Sequence, residues 1–403
     1  MMVVALATAV SRPAFAQRLG PAEERPRLRD VTDTNDAQAY YNLGLAAFER
    51  DPETAAAAFY WAARINPAWA EPLYARRAAL LMKDKRMMAR VMEGDRRALE
   101  SPEVKRLDSL QFRALMLSPF LYRRLDRRMF VAYIRDDAIR RARSIGQDPS
   151  PTELEFNIER YLNAAGPGMR AWAYYGDGNF TAALASYAQA LDRSRNKAYV
   201  RLERGRIFGM RGVTDSAVAE MRLALEELRK QDQNELVVLY DSKAMTQYSI
   251  ATLLEGDGNV DGAREAYGEA LQEDLSYYPA HMRLGLLALG KKDTATALSE
   301  MALAAQLAAG EPHIRYVHGY VLGVTHHLPE AVKELNTAVE LEPYYALPYL
   351  LLGQVHEMMS HGPEALASYQ AFLARAAQTD AQRQLATERV AEIKEILQTT
   401  FKP

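Results

Sequence analysis

Residues 40–49 read YYNLGLAAFE, and residues 55–67 read AAAAFYWAARINP. The first stretch sets one small residue, Gly44, among large apolar ones; the second sets Ala55 and Ala62 around Phe59. Steps of four and three residues bring Ala55, Phe59 and Ala62 onto one face of a helix. A face that runs small, large, small lets a second backbone approach closely. Dense packing tolerates neither a larger group at the small sites nor a void at the large one. Neither stretch holds a nucleophile, a metal-ligand set or a phosphate loop, so the pattern reads as packing.

The pattern recurs as a small residue, an Ala twelve residues later, a bulky residue four beyond, and a small or bulky residue three further. Gly205, Ala217, Met221 and Ala224 fit it, as do Ala251, Ala263, Tyr267 and Ala270. The small residues fall at 171, 205, 251, 285, 319 and 353, with spacings of 34, 46, 34, 34 and 34. The first copy, Gly44, Ala55, Phe59 and Ala62, has one residue fewer in its turn.

This period resembles that of the tetratricopeptide repeat family, whose unit is 34 residues with a W-x2-L-G-x2-Y, A-x3-F, P signature. YYNLG and INP in the first copy match it, as do ELEP and PYLLLG in the last. The resemblance covers roughly residues 36–92 and 167–378, about two thirds of the chain. It implies an all-α fold: an α-α superhelix of paired antiparallel helices, since one repeat cannot cover its own apolar face. GDGN at 176–179 and again at 256–259 supplies the turn within a pair, where Gly ends a helix at low cost.

Several places depart from the pattern. A second copy begins at Glu71, but Arg77 takes its small site and its second helix is irregular. Residues 229–243 add about twelve residues between copies, with Ser242 as a helix N-cap. Residues 93–166 do not fit the repeat and read as an atypical helical insertion. At the other end, Ala386, Val390, Ile393 and Leu397 form one apolar stripe, so 379–403 reads as a helix capping the open end.

With 403 residues and a net charge of −2, nothing overall points to nucleic acid. The absence of cysteine excludes disulfides and thiolate zinc sites. The start, MMVVALATAVSRPAFAQ, has an apolar run of signal-peptide length, a breaker at Pro13 and small residues at Ala14 and Ala16. The expectation is a leader over 1–16, cleavage before Gln17, a periplasmic mature chain and a flexible linker over 17–35; the alternative is a cytoplasmic protein. The linker expectation rests on mixed charge and proline.

Within the insertion, residues 117–144 carry Arg123, Arg124, Arg127, Arg128, Arg135, Arg140, Arg141 and Arg143 against three aspartates. The plain reading is a solvated helix face. The sharper one is a basic patch for an acidic partner or an anionic surface.

The resemblance also implies a concave groove lined by first-helix residues. Three before the small site stand Tyr41, Leu202, Tyr248, Met282, Tyr316 and Leu350, with Tyr74 if Arg77 is the small-site equivalent. One after it stand Leu45, Arg206, Thr252, Leu286, Tyr320 and Gln354; the next turn adds Phe48, Glu49, Glu255 and Met358. This set is tyrosine-rich, which suits protein recognition, although some tyrosines are expected to pack between repeats instead. Apart from Arg206 it lacks the Lys, Asn and Arg set of the family's carboxylate-clamp members, so capture of a chaperone tail is not expected.

All seven histidines lie between 281 and 361, without the tight spacing of a ligand motif. No G-x-S-x-G, H-E-x-x-H or P-loop is present. The sequence therefore reads as a non-enzymatic protein-interaction scaffold without a cofactor or metal. Exported bacterial relatives commonly serve envelope machines, so the resemblance implies a partner of that kind. The competing class is an enzyme or ligand receptor with its site in 93–166.

Overall fold

The computed structural model describes residues 23–28, 33–93, 95–164, 166–194, 196–231 and 242–400. The expected leader, the start of the linker and most of the 229–243 insertion lie outside the described residues. Among the described residues there are 21 helices and no strand. The chain divides into two compact units, 23–283 and 284–403.

In the unit 23–283, α1 (Ala37–Ala47) pairs with α2 (Pro52–Ile65), and α3 (Ala70–Lys83) packs on α2. Then come α4 (Lys85–Met92), α5 (Arg96–Leu99), α6 (Pro102–Leu117), α7 (Leu125–Ser144) and α8 (Pro151–Ala164). The repeat resumes with the pairs α9 (Pro167–Gly176) and α10 (Phe180–Leu191), α11 (Lys197–Met210) and α12 (Thr214–Gln231), and α13 (Lys243–Gly256) and α14 (Val260–Glu273). The division falls inside α15 (Tyr278–Gly290). The unit 284–403 continues with α16 (Thr294–Leu307), α17 (Pro312–Val324), α18 (Leu328–Leu341), α19 (Leu347–Met358), α20 (Gly362–Leu373) and α21 (Gln382–Thr400). The fold is all-α, built of tetratricopeptide-type helix pairs.

The small–large–small face does what its spacing predicts. A Cβ on Gly44 would lie 2.5 Å from Phe59, on Gly205 2.9 Å from Met221, and on Gly353 2.7 Å from Tyr369. Such distances are well inside van der Waals contact, so only Gly allows the paired helices this close. The alanines flanking each bulky residue, Ala217 and Ala224, Ala263 and Ala270, Ala297 and Ala304, Ala331 and Ala338, have no exposed surface.

The turn within each pair from α9–α10 onward repeats one backbone conformation. Gly178, Gly212 and Gly258 take φ of 75°, 70° and 80°, and Lys292, His326 and Ser360 take 61°, 63° and 60° at the equivalent position. The next residue opens the second helix. Asn179, Asn259 and Asp293 cap it through their side chains, whereas His327 and His361 make no side-chain cap. The paired turn histidines are thus places where a stronger cap is missing.

The second copy is irregular for a visible reason. Arg77, at its small site, donates to Asp108 of α6 at 2.7 and 2.9 Å. The long helix α6 packs against α3 more extensively than the short α4 does. An arginine thus fits where Gly or Ala is usual, because α6 supplies a carboxylate instead of a close backbone.

The linker expectation needs correction at residues 23–28. The Arg25 guanidinium lies over the rings of Tyr40 (5.2 Å) and Trp61 (4.6 Å), Trp61 Nε1 donates to the Glu23 carbonyl at 3.2 Å, and Glu23 pairs with Arg76 at 2.6 Å. Cation–π contact and a half-buried ion pair dock this stretch onto α1–α3. At the other end, Ala386 and Ile393 of α21 are buried against Tyr369 and Phe372, with Val390 and Leu397 packed beside them. That stripe covers α20 as expected of a capping helix.

Candidate functional site

The basic stretch 117–144 is where the structure departs furthest from the sequence reading. The link between α6 and α7, Ser118–Arg124, and the first turn of α7 turn inward onto the first helices of the repeats. Arg124 Nη2 donates to the Tyr41 hydroxyl at 3.4 Å, with its guanidinium 5.5 Å above the same ring. Arg128 donates to the Leu45 carbonyl at 3.2 Å and to Glu49 at 2.8 Å, and lies over the Phe48 ring. Arg127 pairs with Asp177. Tyr122 donates to the carbonyls of Tyr175 (3.2 Å) and Gly176 (3.0 Å).

Arg123 goes deepest. Its Nη2 is 2.7 Å from Glu203 of α11, a residue with no exposed surface, and Arg206 donates to the other carboxylate oxygen at 2.6 Å. Burial alone would raise the Glu203 pKa; the charges of Arg123 and Arg206 outweigh it and hold the carboxyl below its usual range. Asp126, which accepts from the Tyr74 hydroxyl at 2.8 Å, is pushed up by burial instead. In the same place Tyr175 uses one hydroxyl on the link's backbone: it accepts from the Arg123 N–H at 3.1 Å and donates to the Leu121 carbonyl at 3.4 Å.

The surface basic patch is therefore corrected. Arg123, Arg124, Arg127 and Arg128 are engaged with the repeats, and the outward ones pair locally: Arg135 with Glu155 at 3.2 Å, Arg140 and Arg141 with Asp137 at 3.4 and 2.8 Å. Helical periodicity puts arginines on one face but does not say whether water or a carboxylate lies opposite.

The groove residues divide accordingly. Tyr41 and Tyr74 are buried beneath this segment, and Arg206 is committed to Glu203. Tyr248 is buried between the rings of Tyr267 and Tyr277, 5.4 Å from each, and burial pushes its hydroxyl up to about 12. Met282 is half-buried. These four, Tyr41, Tyr74, Arg206 and Tyr248, are corrected from open lining to interior positions. Position three before the small site faces the neighbouring helix as much as the groove, and a large ring there fills the gap.

In the unit 284–403 the lining is open. Leu350 is buried and Leu286, Tyr316 and Gln354 are half-buried, but Tyr320 is 41% exposed and Met358 is 51% exposed. Val324, 45% exposed, belongs with them and was missed by the sequence reading. It stands five after Gly319, as Met358 stands five after Gly353, so the 34-residue period was the signal that would have found it. Tyr320 and Val324 of α17 and Gln354 and Met358 of α19 thus repeat one pattern on successive first helices.

The histidines divide between surface and packing: His326, His327 and His361 are exposed. His313 stacks on Tyr316 at 6.2 Å and lies 3.3 Å from the Tyr345 hydroxyl; burial pulls its pKa down to about 4. His318 lies 3.5 Å from Glu334. Among the described residues, no group of His, Asp and Glu gathers as metal ligands, and no helix is long and apolar enough to cross a membrane.

A tetratricopeptide repeat family model matches residues 169–233 and 248–312. These two segments are of the tetratricopeptide repeat class. Proteins of this class are protein–protein interaction scaffolds, and this chain has their architecture. No curated protein matches it. Among solved structures it is similar to the C-terminal part of a TPR repeat-containing protein from Cytophaga hutchinsonii, at 16% identity over 56% of this chain and 87% of that one, TM-score 0.46. It is also similar to YrrB, a TPR protein with an unusual peptide-binding site, at 17% identity over 50% and 97%, TM-score 0.40. MamA follows at 16% identity over 44% and 91%, TM-score 0.38.

Proposed function

We propose that the chain is an exported bacterial scaffold that holds a protein partner of the cell envelope on the first-helix face of residues 284–403. The supporting observation is the exposure of Tyr320, Val324 and Met358 at matching positions of successive repeats, with Gln354 beside them. Apolar side chains that a repeat leaves uncovered, register after register, form a strip for an apolar segment of another chain. The mixed aromatic, aliphatic and amide chemistry favours a peptide with large apolar residues over a charged tail. Export rests on the sequence of residues 1–17.

Photo-crosslinking side chains placed at 320 and 358 test the surface in native cells. The reading expects one shared partner from both positions and none from position 303, an exposed leucine on a second helix. Crosslinks from 303 alone, or none at all, overturn it. N-terminal sequencing tests export: a mature chain beginning at Gln17 supports the envelope reading, and an intact Met1 supports a cytoplasmic adaptor.

A further inference from the structure

The groove of the unit 23–283 is occupied by the chain itself, and its occupant is bound the way a peptide ligand is bound. The link Ser118–Arg124 is non-helical backbone between two helices, with a turn at Pro119–Phe120. Its own backbone bonds are local, Leu121 N–H to the Ser118 carbonyl and Arg124 N–H to the Tyr122 carbonyl. Apart from Asp126 of α7, 3.9 Å from Arg123, the side chains that hold it come from the repeats. Tyr175 hydrogen-bonds its backbone on both sides of Tyr122, a contact that reads no side chain. Glu203 reads one side chain, the guanidinium of Arg123. Gly209, four after the small site of its copy, makes room for a ring: a Cβ there would lie 2.6 Å from the Phe120 ring.

These three contacts are backbone capture, a buried carboxylate for an arginine, and a glycine-floored seat for an aromatic three residues earlier. Together they make a site for a non-helical segment of the form aromatic-x-x-Arg. Tyr175 and Gly209, each four after its small site, lie where the family pattern faces a groove; Glu203, two before its small site, does not. A linker without such a role needs no buried ion pair, since replacing one with apolar residues is often neutral or stabilising.

The site is also built to survive the departure of its occupant. Glu203 keeps Arg206, which comes from its own helix and donates at 2.6 Å. Removal of Arg123 therefore leaves no unpaired buried carboxylate, the outcome that makes most buried ion pairs irreversible.

We propose that Ser118–Arg124 is a resident, displaceable ligand of this groove, and that the groove accepts in trans a non-helical partner segment carrying an aromatic residue and, three residues later, an arginine. The tethered occupant competes at high effective concentration, so the intact chain shows this site weakly until the link is released. The site is separate from the face of residues 284–403, and Tyr320 and Met358 are left untouched in its test.

The probe is a fluorescein-labelled peptide with the sequence of Ser118–Arg128, read by anisotropy against the full chain. The variant carries Phe120→Ala with Arg123→Ala, which loosens the resident link. The expected result is at least tenfold tighter binding to the variant than to the wild type, abolished by Glu203→Gln in the same background and by Arg→Ala at the equivalent position of the peptide. A folded variant that does not gain affinity overturns the proposal and makes the link a permanent brace. Native-state hydrogen exchange on the wild-type chain decides independently, and alone if the variant does not fold. The Arg123 amide, whose bond to the Tyr175 hydroxyl is lost on departure, exchanging faster than the amides of α1 and α11 supports a link that leaves its seat. Protection equal to those helices overturns it.

Discussion

Gly319→Ala isolates the contact on which the repeat rests. A Cβ at Gly319 would stand 2.7 Å from Leu335 Cγ and 2.8 Å from its Cδ2, with the Ala331 carbonyl at 3.5 Å. Carbons in contact prefer about 3.5–4.0 Å, so α17 and α18 must separate by roughly 1 Å or Leu335 must leave its rotamer. Overpacking of this kind costs about 1–3 kcal/mol. Against it stands the gain of about 1 kcal/mol from replacing Gly by Ala inside a helix. The net expectation is a loss of up to ~2 kcal/mol. Leu335→Ala alone, a large-to-small change at a fully buried site, costs about 2–5 kcal/mol. In that background the obstructing atoms are gone, so adding Gly319→Ala stabilises by about 1 kcal/mol. The cycle therefore predicts a coupling of about 1–3 kcal/mol between the two sites. Gly268→Ala is the control, since a Cβ there meets nothing within 4 Å and should simply stabilise. Urea unfolding followed by circular dichroism at 222 nm reads the midpoints, with the slope watched for loss of all-or-none behaviour in a repeat array. Equal effects of Gly319→Ala in both backgrounds would refute the close-approach argument.

Lys292→Gly, His326→Gly and Ser360→Gly should each raise stability by about 1 kcal/mol, because all three residues hold a left-handed backbone that glycine adopts freely; unchanged urea midpoints count against it. His327→Asp should add a helix cap of about 1 kcal/mol, as Asp293 does one repeat earlier, and a midpoint no higher than wild type's rejects that. Burial holds the His313 imidazole at about 4 against an ordinary value near 6.5, so between those limits the unfolded chain takes up a proton that the folded chain does not. Its contribution is whole above pH ~6.5 and declines as pH falls towards 4, by at most about 3 kcal/mol; His313→Gln should flatten that part of the pH–stability profile. Arg77→Ala should destabilise by about 1–3 kcal/mol, since it strands the half-buried Asp108, and Asp108→Asn should recover part of the loss; no recovery in the double variant removes the pair as the cause.

The helix pairs were legible because their contacts are short in sequence. Gly319 meets Leu335 sixteen residues on, and the six copies from Ala171 to Gly353 repeat that distance, so one period carries the information many times over. The same period placed Tyr320 and Met358 on an open face and would have placed Val324 there too. It misjudged Tyr41, Tyr74 and Tyr248, because position three before the small site lies between groove and neighbouring helix, and the neighbour decides which.

The seat of the arginine-rich stretch lay beyond the reach of any period. Arg123 meets Glu203 across 80 residues and Arg128 meets Leu45 across 83, and each contact occurs once. Composition alone determined that the stretch is basic and helix-forming. Only the tertiary structure decided that its first four arginines point inward, because an arginine takes its meaning from the group opposite, and the stacking of distant repeats is what brings that group there.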